Sequence, residues 1–283
     1  MNQKSWSEGK KWYISFATTI GGTSFPRIVL NVVLNSTFAS SAPSGALKSI
    51  QETLGSSEEV SILIISFYLV GYILGPIVFG PFSERFGRRP VILITLGLYT
   101  LTQVGCALAQ NIETIIIMRL FGGMFGSSPL VIVGGVLADI WDSYRRGQAM
   151  SMFSATTFLG PTLGPFIAGY MSMTGPEGWR WLFWFLTMFG GVSTIGLFLT
   201  VPETYAPIIL RRKAKKVREE TGDPLVYAAI EREDRRIMKL LKITLSRPFQ
   251  LLFGDIIIFL VCLYLSFCYG VQYMFYQVCP HLT

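Results

Sequence analysis

The stretch at residues 80–90, G-P-F-S-E-R-F-G-R-R-P, separates two long apolar segments. Its four charged residues lie within six positions and are Glu84, Arg85, Arg88 and Arg89. The apolar segments at residues 60–79 and 91–109 each have about the 20 residues that a helix needs to cross the roughly 30 Å hydrocarbon core of a bilayer. A short charged linker between two such segments predicts a tight loop at a membrane surface, and therefore a polytopic membrane protein.

Composition indicates the same class. Hydrophobic residues make up 51% of the chain and charged residues 14%, whereas soluble domains carry about 25% charged residues. The net charge of +7 could indicate a nucleic-acid partner, but half of the 24 lysines and arginines lie between residues 211 and 247. Such clustering is typical of basic loops that face an anionic membrane surface. We therefore expect a lipid bilayer as a partner and no nucleic acid.

Residues suited to catalysis or metal binding are scarce. The only histidine is His281, and the four cysteines lie in or beside apolar segments without metal-ligand spacing. Such cysteines behave as small buried hydrophobes. A soluble enzyme would need clusters of polar residues that the apolar segments lack. We expect no cofactor, no metal site and no enzymatic active site.

The 20-residue length of a membrane helix predicts seven spans, numbered 1 to 7 below. Span 1 lies within residues 12–42. Spans 2 to 7 cover residues 60–79, 91–109, 114–138, 149–173, 181–201 and 251–278. Glycines and prolines inside these segments do not exclude helices, because neighbouring helices can hydrogen-bond the freed backbone groups. The predicted fold class is an all-α polytopic membrane protein.

Basic residues alternate between the loops. Twenty of the 24 lie in the amino terminus and the loops after spans 2, 4 and 6, and only Lys48 and Arg180 lie in the loops after spans 1, 3 and 5. The positive-inside rule then places the amino terminus and the basic loops in the cytoplasm.

These signals predict four regions. Residues 1–11 form a cytoplasmic amino terminus, 12–202 a six-helix transmembrane bundle, 203–250 a basic cytoplasmic connector and 251–283 the seventh helix. Within the connector, apolar residues recur near helical spacing and predict an amphipathic helix: Val226, Ile230, Ile237, Leu240 and Leu241. Such a helix could bind a calmodulin-like partner, although a connector between two bundles fits better.

Arg119 is a charged residue inside span 4, about one and a half turns from its external end. A charge at this depth costs several kcal/mol unless it faces a partner or a polar cavity. Two interpretations follow: the side chain extends to the external surface, or it handles substrate or protons. Asp139 lies about 30 Å away at the other end of the span and cannot pair with it. Asp139 lies instead at the level of the loop at residues 85–89, either as a solvated residue or in an ion pair that closes the cytoplasmic side.

Glycines in spans 4 and 5 predict close helix contacts, since small residues let helices approach in lipid. Gly160 and Gly164 are four residues apart and share one face of span 5. Pro161 and Pro165 remove backbone donors and should bend this helix. A packing seam explains the glycines by itself, and a bent helix also suits a transporter.

The charged loop resembles the motif G-x-x-x-D-[RK]-x-G-[RK]-[RK] of the major facilitator superfamily, with a glutamate where many members have aspartate. The matching residues are Gly80, Glu84, Arg85, Gly87, Arg88 and Arg89. The run G-P-T-L-G-P-F-I-A-G is similar to the signature of drug:proton antiporters and supplies Gly160, Pro161, Gly164, Pro165 and Gly169. Arg119, in M-R-L-F-G-G, matches the arginine of the fourth helix. The segments K-K-W-Y, F-A-S-S-A-P-S-G, W-R-W-L-F-W and P-E-T-Y-A-P are similar to fungal twelve-helix drug antiporters.

This resemblance implies two six-helix bundles that rock about a central site and exchange protons for an amphipathic solute. It implies a gating role for residues 80–89 with Asp139, proton coupling for Arg119 and an antiporter-specific bend at residues 160–169. The expected partners are a small-molecule substrate and protons, and the expected location is the plasma membrane rather than the vacuole. Because spans 2 to 6 hold no acidic residue well inside the membrane, the proton carrier within this chain would be Asp139 or Asp255.

Two features depart from the family pattern. The family has twelve helices over roughly twice this length, so the resemblance implies an exporter truncated after span 7. The alternative is an orphan half-transporter that does not transport and acts by associating with other helices. Residues 21–31 lengthen span 1, and we interpret them as an insertion because Gly21, Gly22, Pro26 and Arg27 suit a membrane span poorly.

Overall fold

The computed structural model describes residues 24–140, 143–175, 177–200, 203, 205–221, 227, 246 and 250–278. Helices account for nearly all of them, and no strand occurs in these ranges. Within the described ranges, five helices are long and apolar enough to cross a membrane, and they correspond to spans 2, 3, 4, 6 and 7. Their bounds are Glu58–Phe86, Arg88–Ala107, Ile112–Leu137, Gly178–Leu199 and Ile256–Tyr276.

Spans 1 and 5 are the helices Ser24–Ser41 and Ser143–Ser172. Both carry more polar residues than the other spans. In span 1 these residues are buried: Asn35, Ser36, Thr37, Ser40 and Ser41. A polar helix is stable in a membrane when its polar groups meet protein instead of lipid. The prediction of an all-α polytopic membrane protein is confirmed, and the count of seven spans stays a prediction.

The first six spans pack as a bundle. Span 4 packs along span 2, span 1 along span 5, and span 3 between spans 4 and 6. Span 1 also contacts span 6, which places it in the interior of the bundle. Span 7 packs beside the bundle against the 3-10 turn Ala42–Ala46 that follows span 1.

The junction between spans 2 and 3 is shorter than predicted. Span 2 continues to Phe86 and span 3 begins at Arg88, so that Gly87 alone separates them. Gly87 has φ of 100°, a conformation that glycine adopts without steric cost. The expected loop at residues 80–90 is therefore wrong in its extent: the charges lie in the last turn of one helix and the first turn of the next.

Three further helix boundaries complete the fold. Span 4 consists of Ile112–Gly126 and Ser128–Ile140, which Ser127 separates. The short helix Leu47–Leu54 follows the 3-10 turn, and the connector helix Ala206–Thr221 follows span 6. Asp255 directly precedes span 7, and its side chain accepts a hydrogen bond from the Ile257 amide at 3.0 Å.

Several predicted features lie wholly or partly outside the described residues. These are the amino terminus at 1–11, residues 21–23 of the expected insertion, and most of the amphipathic segment at 226–241. Residues 24–31 of the expected insertion belong to the helix of span 1. The insertion itself stays a prediction.

The two ends of the bundle carry different elements. The basic face carries the junction of spans 2 and 3, the ends of spans 4 and 6, and the connector helix. The opposite face carries the turn Ala42–Ala46, the helix Leu47–Leu54 and the start of span 6. The assignment of the basic face to the cytoplasm stays a prediction.

Candidate functional site

Arg119 lies in the interior of the bundle. Its side chain has no exposed surface and belongs to the helix Ile112–Gly126 of span 4. Its Nε atom donates to the carbonyl oxygen of Ile64 in span 2 at 3.2 Å. Its Nη2 atom donates to the carbonyl oxygens of Ala39 at 2.6 Å and Ser40 at 3.4 Å, both in span 1. The side chain therefore joins three spans and does not extend to the membrane surface, so the first of the two interpretations is wrong.

The ring of Tyr68 supports the Arg119 guanidinium from one side. The Cζ atom of Arg119 lies 4.0 Å from the ring centroid, within the range of a cation–π contact. Tyr68 is itself fixed, since its hydroxyl donates to the Ser36 carbonyl at 2.8 Å and its ring stacks on Tyr72 at 5.4 Å. The Tyr72 hydroxyl is 2.8 Å from the Ser36 hydroxyl.

No carboxylate neutralises Arg119 within the described part of the chain. The spans carry acidic residues only in their first or last turns: Glu58, Glu59, Glu84, Glu113 and Asp139. Neutral carbonyl groups and an aromatic ring solvate the guanidinium, and its Nη1 atom is buried without a hydrogen-bond partner. The guanidinium is therefore solvated by the protein itself, without an ion pair among the described residues.

Glu203 organises the basic face, directly after span 6. Its Oε1 atom accepts from the backbone amide of Arg88 at 3.0 Å and of Tyr205 at 3.1 Å. Its Oε2 atom accepts from the Arg89 amide at 3.3 Å. The guanidinium of Arg88 lies 5.4 Å from the Tyr205 ring, and that of Arg89 donates to the Phe198 carbonyl at 2.9 Å. The end of span 6 is therefore fastened to the junction of spans 2 and 3.

Sequence reasoning missed Glu203 as a site residue. The segment P-E-T-Y-A-P served only as a similarity to fungal antiporters, although a glutamate directly after a span was a usable signal. It could not show that the carboxylate caps a helix 115 positions earlier in the chain.

Asp139 ends span 4 on the same face. A Cβ atom on Gly135, one turn earlier, would lie 2.9 Å from an Arg88 guanidinium nitrogen, so this part of span 4 approaches the charged junction. The Asp139 side chain lies outside the described atoms, and its ion pair with the junction stays a prediction. Arg85 lies 5.6 Å from the ring of its neighbour Phe86.

The glycine and proline motif of span 5 packs against span 1. A Cβ atom on Gly160 would lie 2.8 Å from the Phe38 amide nitrogen, and one on Gly164 would lie 2.9 Å from the Ala42 amide nitrogen. The shared face predicted for these two glycines is therefore the seam with span 1. Gly169 differs, because no atom lies within 4 Å of the Cβ position there.

Pro165 removes the amide that would bond to the Pro161 carbonyl four residues earlier. The Ser41 hydroxyl of span 1 donates to that carbonyl at 2.8 Å. The neighbouring helix thus satisfies the freed backbone group, as the absence of water in a membrane requires.

The chain matches a known protein family. The family model described as Major Facilitator Superfamily matches residues 29–281. The chain belongs to the Major Facilitator Superfamily. Its helical fold is accordingly that of a major facilitator protein.

Several curated major facilitator proteins of fungi are similar to nearly the whole chain. The transporter paaT of Penicillium rubens is 39% identical over 279 residues, which are 99% of this chain and 48% of that protein. The multidrug transporter mdrA of Aspergillus fumigatus is 38% identical over 280 residues, which are 99% of this chain and 44% of that protein. The efflux pump FUB11 of Gibberella moniliformis is 40% identical over 87% of this chain and 42% of its own length. The chain spans about half the length of the curated relatives it matches.

Solved structures support the fold. The proton:xylose symporter XylE bound to 6-bromo-6-deoxy-D-glucose has a TM-score of 0.58 at 19% identity, over 88% of this chain and 57% of that one. A peptide transporter in complex with sulfate has a TM-score of 0.55 at 15% identity, over 84% of this chain and 50% of that one. At this level of identity the likeness shows the major facilitator fold alone.

The predicted site residues form three separate groups. Arg119 stands in the half of the bundle near the opposite face, the residues of the charged junction lie on the basic face, and the span 5 motif lies along span 1. Ser41 connects the span 5 motif to the surroundings of Arg119. Ala39 and Ser40, whose carbonyl groups accept hydrogen bonds from Arg119, precede Ser41 in the last turn of span 1.

Proposed function

We propose that this chain forms the amino-terminal part of a proton-coupled exporter of small amphipathic solutes that works by alternating access. Its relatives mdrA and FUB11 are named as a multidrug transporter and an efflux pump. The observation that carries the proposal is the buried, acid-free environment of Arg119. A small-molecule substrate and protons are the partners it requires.

The burial of a charged side chain at Arg119 has a free-energy cost. A charge inside a membrane protein costs several kcal/mol unless it is solvated or paired, and a leucine would fill the same space without that cost. The guanidinium is held by carbonyl groups of spans 1 and 2, so a change of charge nearby would alter contacts between three helices at once. This is the requirement for coupling a proton to helix movement.

The basic face supports a gate. In the proposal, the charged junction of residues 80–89 and Asp139 close this side of the transporter, with Glu203 as a further member. Since Glu203 links span 6 to the start of span 3, its charge-assisted hydrogen bonds hold the residues of the proposed gate in place. The gate is expected to close against the second half of the transporter.

Span 5 supplies the expected bend of the antiporter. Gly160 and Gly164 hold it tightly against span 1, whereas Gly169 has open space around its Cβ position. At Gly169 only the Cβ side is open, because the backbone of this part of span 5 packs against Gly45 of the turn that follows span 1; the bend of span 5 is proposed from the prolines at 161 and 165. We place the proposed exporter in the plasma membrane rather than the vacuole, with its amino terminus in the cytoplasm.

A split-transporter assay tests the proposal. The chain is co-expressed with the carboxyl-terminal half of the mdrA relative in yeast that lacks its own drug exporters, and export of a cationic or a neutral dye is followed with and without a proton gradient. We expect gradient-dependent export that Arg119→Ala abolishes and Arg119→Lys reduces. Export that is unchanged in Arg119→Ala would refute the coupling role.

Vesicles that contain the chain alone separate the two candidate functions. Transport that requires the second half supports the exporter. If neither arrangement transports any dye at any gradient, while the chain still associates with the second half, the orphan half-transporter is the correct interpretation.

A further inference from the structure

Ser40 is held from two sides by residues of two other spans. It is buried in the last turn of span 1. Its carbonyl oxygen accepts from Arg119 of span 4 at 3.4 Å. Its hydroxyl oxygen lies 2.7 Å from the hydroxyl of Tyr273 in span 7. One residue therefore connects the buried arginine to the helix that stands beside the six-helix bundle.

The direction of the second hydrogen bond follows from the first. The Ser40 hydroxyl donates its only hydrogen to the Thr37 carbonyl at 2.6 Å. Tyr273 must then be the donor in its bond to Ser40. The phenol hydrogen thus points into span 1, toward the turn whose carbonyl groups accept from Arg119.

Three aromatic residues hold span 7 to the bundle near the opposite face. Tyr269 stacks on Phe158 of span 5 at 5.3 Å, and the Tyr276 hydroxyl lies 3.0 Å from that of Thr162, also in span 5. Tyr269, Tyr273 and Tyr276 are spaced by four and three residues and share one face of the helix. The first half of span 7, at residues 256–267, is exposed. Closure of span 7 over the bundle therefore depends on this tyrosine face.

We propose that Ser40 is a positioning residue that couples the environment of Arg119 to the closure of span 7 over spans 1 and 5. The proposal rests on the proposed function, in which a proton alters the contacts of Arg119. When Arg119 releases the carbonyl groups of Ala39 and Ser40, the last turn of span 1 is free to shift. The Ser40 hydroxyl then moves away from Tyr273, and a hydrogen bond weakens steeply with distance and angle.

Thr162 and Tyr276 provide the matched control. This pair has the same chemistry and joins the same helix to the bundle, but Thr162 belongs to span 5, whereas the carbonyl partners of Arg119 belong to spans 1 and 2. Loss of either hydroxyl pair should favour release of span 7. Only the Ser40 pair should depend on Arg119. The dependence is expected in both directions, since a coupling free energy between two sites is reciprocal.

Electron spin resonance on the complete chain in lipid nanodiscs measures this coupling. Native cysteines are replaced, and spin labels are attached at Met173 and Met274, two exposed residues near the opposite face on spans 5 and 7. The distance distribution gives the ratio of closed to open span 7. We expect Ser40→Ala and Arg119→Gln each to lower this ratio by about three- to tenfold, the effect of one hydrogen bond.

The double variants decide the question. If the two residues are coupled, the double variant of Ser40→Ala and Arg119→Gln has span 7 no more open than the more open of the two single variants. Ser40→Thr keeps the hydroxyl and restores the closed state. Thr162→Val with Arg119→Gln shows the product of the two separate effects. Two results would overturn the proposal. In the first, the effects of Ser40→Ala and Arg119→Gln multiply in the double variant. In the second, Arg119→Gln leaves the ratio of closed to open span 7 unchanged.

A folding control keeps the test decisive. If Arg119→Gln does not fold, Arg119→Lys replaces it, because a lysine keeps the charge but cannot reach the carbonyl groups of both spans in the geometry of a guanidinium. The measurement uses neither substrate nor a proton gradient. A chain that fails to transport can therefore still show the coupling, and a transporting chain can still refute it.

Discussion

The Oε1 atom of Glu203 lies 3.0 Å from the backbone nitrogen of Arg88, the first residue of span 3. The first amides of a helix have no partner within the helix, and its amino-terminal end carries a partial positive charge. A carboxylate satisfies both requirements. Here it comes from the end of span 6, so the cap also joins two helices that are distant in sequence.

Replacement of Glu203 should destabilise the basic face. Glu203→Ala leaves the amides of Arg88 and Arg89 without their carboxylate and should lower the free energy of unfolding by about 2 kcal/mol, and Glu203→Gln by about 1 kcal/mol. Thermal unfolding in detergent, followed by tryptophan fluorescence, measures the change. Glu177→Gln is the control, since Glu177 forms a largely exposed pair with Arg180 at 3.8 Å and such pairs contribute little. Equal stability of Glu203→Ala and the natural chain would refute the cap.

Gly87→Ala should be more damaging than its backbone conformation alone explains. Its φ of 100° disfavours alanine, and a Cβ atom there would lie 2.5 Å from the Glu203 Oε2 atom. We expect a loss of about 2–3 kcal/mol. Gly55→Ala, at φ of 65° and ψ of 30° with no atom within 4 Å, measures the cost of the left-handed helical region alone, which should be about 1 kcal/mol; Gly87, with ψ of 159°, lies in a region that essentially only glycine adopts, so its conformational cost is larger.

The steric part has a separate test. In a Glu203→Ala background the carboxylate is absent, so Gly87→Ala should cost less than it does in the natural chain when unfolding is measured in the same way. A cost that stays the same in both backgrounds would show that the contact with Glu203 is unimportant.

The helical class and the apolar spans could be predicted from the sequence because membrane length and hydropathy are local properties. The location of Arg119 within a span followed from the apolar residues around it, although the direction of its side chain did not, and the shared face of Gly160 and Gly164 followed from helical spacing. These inferences need no knowledge of which helices are neighbours.

The partners of these residues could not be predicted for the same reason. Ser40 and Tyr273 are 233 positions apart, and no periodicity indicates that spans 1 and 7 meet at these hydroxyls. The charged junction misled in another way: its charges and Gly80 suggested a loop, but the helix of span 2 continues through Pro81 to Phe86. Charges at a membrane surface are compatible with a helix end, so charge alone did not fix the boundary.

The three glycines of the span 5 motif should differ in their tolerance of alanine. Gly160→Ala and Gly164→Ala place a methyl group against the backbone of span 1 and should each lower the free energy of unfolding by about 1–3 kcal/mol. Gly169→Ala meets no atom within 4 Å and should be neutral or slightly stabilising, since alanine favours helix. Thermal unfolding checks the order.

Gly169→Ala also separates packing from movement. If it retains stability but loses export in the split-transporter assay, the defect lies in the bending of span 5. A large loss of stability in Gly169→Ala, or full tolerance of alanine at both Gly160 and Gly164, would contradict the packing described here.

The hydroxyl of Ser41 should matter only while Pro165 is present. It donates to the Pro161 carbonyl at 2.8 Å, which Pro165 leaves without its helical partner. Ser41→Ala should therefore cost about 1–2 kcal/mol, the penalty of a buried acceptor without a donor. Pro165→Ala restores an amide that can bond to the same carbonyl, and in that background Ser41→Ala should cost less than about 0.5 kcal/mol.

Ser66 supplies the control for this cycle. Its hydroxyl donates to the Ile62 carbonyl at 3.3 Å in span 2, and that carbonyl keeps a backbone partner because residue 66 is not proline. Ser66→Ala should leave the unfolding temperature nearly unchanged. If Ser41→Ala has the same cost with proline and with alanine at position 165, the hydroxyl stabilises the seam by packing, and the freed carbonyl of Pro161 is satisfied in another way.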